Sequence, residues 1–296
     1  RDGRPTRHLI DAVDDRHMAI THVLLGHEWL PYAPYRTLLN QALGWEPPQY
    51  AHLPPAGGLD SCDQRAYLPL ALVNELARLG WMPRGKQALL TMDELASRFE
   101  LERVSRRPVA LDLQRLDWFN HRCLRALDGA AAADLFVRRW QAAYGLPDRA
   151  GGTALRPEEW RQVLARAILD DIRRLDQAVP QARFAFTDEV VYGPDAREVL
   201  AQPYALAILH AFAQGLPSVS PFDYDAINAF VSQMRWQFKA SLGIRSRDTM
   251  YVIRAALTGH MHGPCLVVAC QLLGQQRCVE RAQKAIGYCF SMPDVI

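Results

Sequence analysis

The sequence predicts a mainly helical chain, with a small α/β segment at its N-terminal end and a long helical array behind it. Three observations carry this. Short strand-like runs stand only in the first 55 or so residues. From Asp63 onward apolar residues recur at helical spacing. Capping residues, glycines and prolines punctuate that spacing at regular intervals. The expected division is an α/β part at 1–60, a helical part at 61–150 and a second helical part at 151–296.

Taken in order, Arg7–Val13 and Ile20–Leu25 read as short strands, and Pro34–Leu43 reads as the helix between strands, stopped by Gly44 and Pro47-Pro48. Pro54 to Gly58 reads as a loop by its turn chemistry. Leu68–Leu79 is a helix ending at Gly80. Thr91 followed three residues later by Glu94 has the capping-box spacing that opens another. Asp112–Leu127 carries Leu113, Leu116, Phe119, Cys123 and Leu127 on one stripe. The alanine run at 130–133 continues through Leu135–Tyr144, and Gly151-Gly152 is a break. Pro157 opens a helix running towards Leu175. Asp195–Gln202, Tyr204–Gln214, Asp223–Leu242, Asp248–Thr258, Pro264–Leu273 and Gln276–Phe290 complete the series.

Hydrophobic residues make up 49% and charged residues 22% of the 296, which is ordinary for a soluble globular chain. No run of 18 apolar residues suggests a membrane span. The chain opens Arg1-Asp2-Gly3-Arg4 without Met, and a processed or truncated product is expected. The six cysteines, Cys62, Cys123, Cys265, Cys270, Cys278 and Cys289, form no C-x-x-C pair, so buried free thiols in a reducing compartment are expected. Lysine occurs only at Lys86, Lys239 and Lys284; the other positive residues are arginine. Between Arg235 and Lys284 eight Lys/Arg face only Asp248 and Glu280, a basic footprint suited to nucleic acid. Its candidate RNA contacts are Arg235, Lys239, Arg245, Arg247, Arg254 and Lys284. Gly259-His260-Met261-His262-Gly263 places two histidines two apart with no carboxylate nearby in sequence, so no metal site is assigned.

The residue order says more. Val13-Asp14-Asp15, then Ile20-Thr21-His22-Val23-Leu24-Leu25-Gly26, Glu28-Trp29-Leu30 and Ala42-Leu43-Gly44-Trp45 follow one another. Tyr67-Leu68-Pro69, Ala71-Leu72-Val73-Asn74, Leu79-Gly80-Trp81, Leu90 to Leu95 and Ser105 through Trp118-Phe119-Asn120 come next. Ile253-Arg254-Ala255-Ala256-Leu257-Thr258-Gly259, His262-Gly263-Pro264 and Leu272-Leu273-Gly274 lie near the end. In this order the chain resembles bacterial and organellar glutamyl-tRNA synthetases over nearly its whole length. The resemblance implies a remnant of the class I synthetase Rossmann-like α/β domain, then an all-helical region of stem-contact and anticodon-binding type. Trp81, Trp118 and Leu257 are expected to be core residues, and Gly259 and Gly263-Pro264 to punctuate helix ends.

The same resemblance implies adenylate formation from ATP and an amino acid, followed by transfer to tRNA. That chemistry leans on positioned cations around the phosphate. The family's His-x-Gly-His signature has no counterpart here. Its Lys-x-Ser-Lys loop falls between segments present here as His52-Leu53-Pro54 and Tyr67-Leu68-Pro69, and the residues between them hold no lysine. Where the family has a tyrosine, an amino-acid-binding arginine and the first of an acidic pair, this chain has Arg7, Leu25 and His27; Glu28 and Trp29 remain, as do Asp14, Asp15, Thr21 and His22. Leucine cannot pair with a carboxylate. Asp171 stands where the family often has an arginine in its anticodon region.

The expectation is a catalytically inactive, synthetase-derived protein with no catalytic residue and no cofactor. It would serve as an RNA-binding (tRNA or rRNA) or structural subunit of a larger ribonucleoprotein or organellar assembly such as the mitochondrial ribosome. The alternative is a fragment of an active glutamate–tRNA ligase needing ATP and magnesium. A third reading is a related amino-acid-activating enzyme with another acceptor. The compartment expected is the mitochondrial matrix or another organelle, or else a bacterial cytoplasm.

Overall fold

The computed structural model describes residues 3–58, 60, 62–83, 89–105, 107, 109–146 and 153–291. The chain divides into two compact units, Arg1–Asn120 and His121–Ile296.

The first unit begins with α1 (Arg7–His17), where a strand was expected. Leu9 and Val13 lie four apart, as do His8 and Ala12, and the helix is held to its neighbour by the bond from Arg36 to Asp11. The β-branched Ile10 and Val13 biased the reading towards a strand. β1 (His22–Gly26) and β2 (Gln49–Leu53) pair in parallel, from His22↔Gln49 to Gly26↔Leu53. Parallel strands need a crossover. It consists of a 3₁₀ turn at His27–Tyr32 and α2 (Ala33–Ala42), whose Pro34 sits in the first turn where no N–H is required.

This α/β part has little interior. Between residues 3 and 58 Ala12 and Pro54 are the buried apolar residues among those whose burial is described, while Arg36 and Asn40 are buried polar ones. Ile10, Ile20, Leu24, Leu30, Leu38 and Leu53 stay substantially exposed.

The loop expected at Pro54 to Gly58 contains β3 (Ala56–Gly57), paired in parallel with β4 (Val109–Ala110). Two residues are too few to show a period in sequence. α3 (Pro69–Gly80) buries Asn74, Glu75 and Arg78 beside Ala71 and Leu79. Asn74 is saturated: its amide donates to Leu90 O at 2.8 Å and to Leu70 O at 2.9 Å, and its Oδ1 accepts from Leu90 N at 2.9 Å. Glu75 receives two bonds of 2.7 Å from Arg115 and one of 3.0 Å from Asp112 N. That is the arrangement under which a buried carboxylate is tolerated. α4 (Met92–Arg98) opens on the expected capping box, Thr91 with Glu94. Trp81, Leu90 and Leu95 form a small core below it. On α5 (Leu113–Arg125) Leu116, Phe119 and Cys123 are buried as expected, but Leu113 is exposed and Leu124 is buried instead.

The second unit contains α6 (Gly129–Tyr144), capped by Asp128, and α7 (Pro157–Ile168), which stops short of Leu175. A 3₁₀ turn at Leu175–Gln177 leads into α8 (Ala178–Phe186), a helix the sequence did not suggest because Pro180 interrupts it. Pro180 lies in the first turn, where its missing N–H has no partner to lose. Then come α9 (Pro194–Leu200), α10 (Ala205–Gly215), α11 (Tyr224–Leu242), α12 (Ser246–Thr258), α13 (Leu266–Leu273) and α14 (Gln275–Phe290).

α12 is central: Val252, Ile253, Ala255, Ala256 and Leu257 are 0% exposed, and α9, α10, α11, α13 and α14 pack around it. Two buried indoles tie the array together. Trp140 Nε1 donates to Ala178 O at 3.0 Å and Trp160 Nε1 to Leu272 O at 2.9 Å. Trp81 and Leu257 are core residues as expected, and Trp118 is half-buried against Phe119. The six cysteines are free thiols; Cys123, Cys270, Cys278 and Cys289 are buried. Gly151-Gly152 and Lys86 lie outside the described residues. No single helix among the described residues is long and apolar enough to cross a membrane.

Candidate nucleic-acid interface

In open parallel sheets, ligands sit beyond the carboxyl ends of the strands. Here that end holds Leu25, Gly26 and the 3₁₀ turn with His27, Glu28 and Trp29. Leu25 is half-buried opposite His52; His27 and Glu28 are exposed. A Cβ at Gly26 would meet only the Glu28 carboxylate folded back over it, the far end of an exposed side chain that can swing aside. The nearby cations are otherwise engaged. Arg7 stands 4.8 Å over the Trp29 ring and 3.8 Å from Asp11. Arg36, 4% exposed, is 2.6 Å from Asp11 and 5.6 Å from the Trp29 ring centre. Two guanidiniums thus spend their charge on one indole and one carboxylate. Burial, with Asp11 and Asp14, holds the Asp15 carboxyl above its ordinary value, against the pull of Arg36.

The expected basic residues fall in three places. Arg235 and Lys239 ride on α11, half-buried and exposed, and neither is in an ion pair among the described residues. Arg245 and Arg247 share Asp248, at 2.8 and 3.6 Å. Lys284, exposed on α14, rests on the Asp188 carbonyl at 3.5 Å.

Arg254 sits two turns along α12 from Arg247, roughly 10 Å down the axis. Its Nη1 donates to Met261 O at 3.1 Å, and its buried Nε has no partner among the described residues. Burial pulls its guanidinium below its ordinary pKa, while Cys265, Tyr251 and Asp171 push the other way. The fold brings Asp171 to this place. Burial and then Asp170 raise the Asp171 carboxyl, opposed by Arg254, His262 and His121. His262 meets the Tyr251 ring edge-on at 5.7 Å, and His121 Nδ1 lies 2.8 Å from Ile172 O. The helical unit therefore sets a carboxylate acceptor, a guanidinium donor and two imidazoles close enough for the three cationic groups to act on the Asp171 charge, and these are side-chain types that read base edges.

Two residues that sequence reasoning missed support this grouping. Asp195 Oδ2 accepts from Met261 N at 2.7 Å, and Oδ1 stands 3.6 Å from His260 Nδ1. The carboxylate absent from the local sequence thus arrives from α9, 66 residues away. Arg281, 2% exposed, donates to Leu257 O, Phe184 O and Thr187 O, and burial lowers its pKa to about 10. It lines a cavity of about 140 Å³ together with Arg183, Thr187, His260 and His262. The available signal was its place on the buried stripe of α14 with Cys278, Ala282, Ala285 and Cys289. Among the described residues no three His, Cys, Asp or Glu side chains cluster as metal ligands.

Comparison with known proteins gives the family. An anticodon binding domain model matches residues 135–286, and a class I (E and Q) tRNA synthetase catalytic domain model matches residues 1–62 and 58–118. The glutamate–tRNA ligase of Geobacillus stearothermophilus is 32% identical over 301 residues, covering 96% of this chain and 60% of that protein. That of Amoebophilus asiaticus is 32% identical over 324 residues, with the same coverage. The crystal structure of a glutamate tRNA ligase from Elizabethkingia meningosepticum in complex with its amino acid superposes with a TM-score of 0.78 at 21% identity, covering 97% of this chain and 61% of that one. The glutamate–tRNA synthetase of Elizabethkingia anophelis gives 0.76 at 24%, covering 97% and 60%. At those identities the two structures speak for the fold. The chain spans about 60% of the length of the relatives it matches. With both domain models in register along it, this chain belongs to the glutamyl-tRNA synthetase family.

Proposed function

We propose that the chain binds tRNA, and that its helical unit holds the anticodon end for a glutamate–tRNA ligase reaction. The observation that carries this is the coincidence of the anticodon-binding match at 135–286 with a rim bearing Asp171, Arg254 and His262. The names of the relatives point to tRNA-Glu, and their bacterial sources support a cytoplasmic setting over an organelle.

The residues of the first unit do not fit ATP and magnesium. Leu25 offers no charge, no lysine lies between Leu53 and Tyr67, and Arg7 and Arg36 are committed to Asp11 and Trp29. Those same residues favour a second reading, in which the chain binds tRNA or rRNA within a larger assembly without charging it.

One experiment separates the two. ATP–pyrophosphate exchange is followed with glutamate, tRNA-Glu and the chain as given, alongside tRNA binding by anisotropy. Binding with exchange above background establishes the ligase reading. Binding without exchange supports the second reading, and no binding of tRNA removes the first and leaves only the rRNA form of the second.

A further inference from the structure

Trp236 is 71% exposed, the highest value among the large apolar side chains of the described residues. The buried stripe of α11 is Ile227, Val231, Met234 and Phe238. At 100° per residue Trp236 points almost directly away from that stripe. Its neighbours one turn off are small or polar: Ser232, Gln233, Lys239 and Ala240. None covers the indole, and among the described residues the ring makes no aromatic or cation–π contact. Burying an indole is worth a few kcal/mol, roughly. A single exposed ring is ordinary on a protein surface; the charge around this one is what makes it a candidate contact.

The surrounding charge identifies the class of that partner. From Ala226 to Arg247 the chain contains no Asp or Glu and has Arg235, Lys239, Arg245 and Arg247. Asp248 engages the last two, whereas Arg235 and Lys239 beside the indole have no ion pair among the described residues. An aromatic face flanked by uncompensated cations suits a polyanion that also presents π faces. Unpaired nucleotides have both properties, since every base can stack and every linkage carries a phosphate. A protein partner would need its own acidic surface, and a lipid surface would call for more than one apolar anchor.

We propose that Trp236 is a stacking platform for an unpaired nucleotide of the bound RNA, with Lys239 and Arg235 contacting the flanking phosphates. The proposal rests on the helical unit binding RNA, and it extends the interface to α11, away from the Asp171–Arg254 rim.

The test uses the whole chain and fluorescently labelled tRNA-Glu, titrated at several salt concentrations. Trp236→Ala should weaken binding roughly tenfold with an unchanged salt slope, and Trp236→Phe should restore most of it. Lys239→Ala should weaken binding less and reduce the slope by roughly 0.7–0.9. The thermal midpoint of Trp236→Ala should lie close to that of the wild type, because most of the ring is exposed. A blunt RNA duplex without unpaired bases should bind wild type and Trp236→Ala alike. The proposal is overturned if the wild type binds tRNA and Trp236→Ala binds it as tightly, or if the blunt duplex suffers the same loss. If the wild type binds no tRNA at all, the RNA reading of the unit fails first and takes the platform with it.

Discussion

Asp171 and Arg281 are charged residues of the same helical unit with opposite legibility. Asp171 stood out in sequence as an acid where the family often carries an arginine, and the fold gives it meaning by bringing it within the electrostatic reach of Arg254, His262 and His121. Arg281 left only one trace, an arginine on the buried stripe of an amphipathic helix that also carries Arg277, and its carbonyl partners lie 24 to 97 residues away. Local spacing carries no trace of such contacts. Arg281→Ala strands three carbonyls and opens a void, and should cost about 3 kcal/mol or more in urea unfolding. For Asp171 the sign follows from its raised pKa. The folded chain holds this proton more tightly than the unfolded chain, whose value is 3.8. The resulting stability is present in full below that value and lost as pH rises through the folded one. Asp171→Asn removes the loss, so its thermal midpoint should exceed that of the wild type at neutral pH and converge with it near about pH 4. With one repelling charge gone, its affinity for tRNA should rise, roughly fivefold at low salt.

At the scale of elements, the helices from α9 to α14 follow the sequence to within a few residues because caps, glycines and apolar stripes agree there. Disagreements arise where one signal overrode the rest. β-branched residues disguised α1, and Pro180 disguised α8 although its position in the first turn is harmless. β2 escaped notice because a paired strand of five residues with no clean alternation depends on its neighbour, β1, for definition. Connections matter as much as elements. Gly259 ends α12 at a φ of +83°, and a Cβ there would overlap the Val191 carbonyl. Gly259→Ala should therefore cost about 2 kcal/mol by denaturant melt and loosen the loop carrying His260 and His262. Asn74 plays the corresponding part in the first unit, fixing Leu90 through paired bonds. Asn74→Ala leaves both backbone groups unmatched, and a loss of roughly 2–3 kcal/mol is expected in the same assay.

Across the whole molecule, the two units differ in how much function their residues display. The α/β part keeps its strand–turn–helix frame, but the carboxyl end of β1 presents Leu25 and an indole engaged by Arg7 and Arg36. The helical unit carries a rim and a helix face with the chemistry of base and phosphate recognition. The sequence revealed the family and the basic bias. It did not reveal that Arg245 and Arg247 share the single Asp248 while Arg235 and Lys239 have no ion pair among the described residues, since pairing is settled by helix geometry. The most direct measurement is a titration of labelled tRNA-Glu with the wild-type chain and Arg254→Ala, with a DNA duplex of equal charge as competitor. The account predicts saturable binding that the duplex displaces poorly and that Arg254→Ala weakens roughly tenfold or more. Absence of binding, or binding that the duplex displaces as well as tRNA does and that Arg254→Ala leaves untouched, would contradict it.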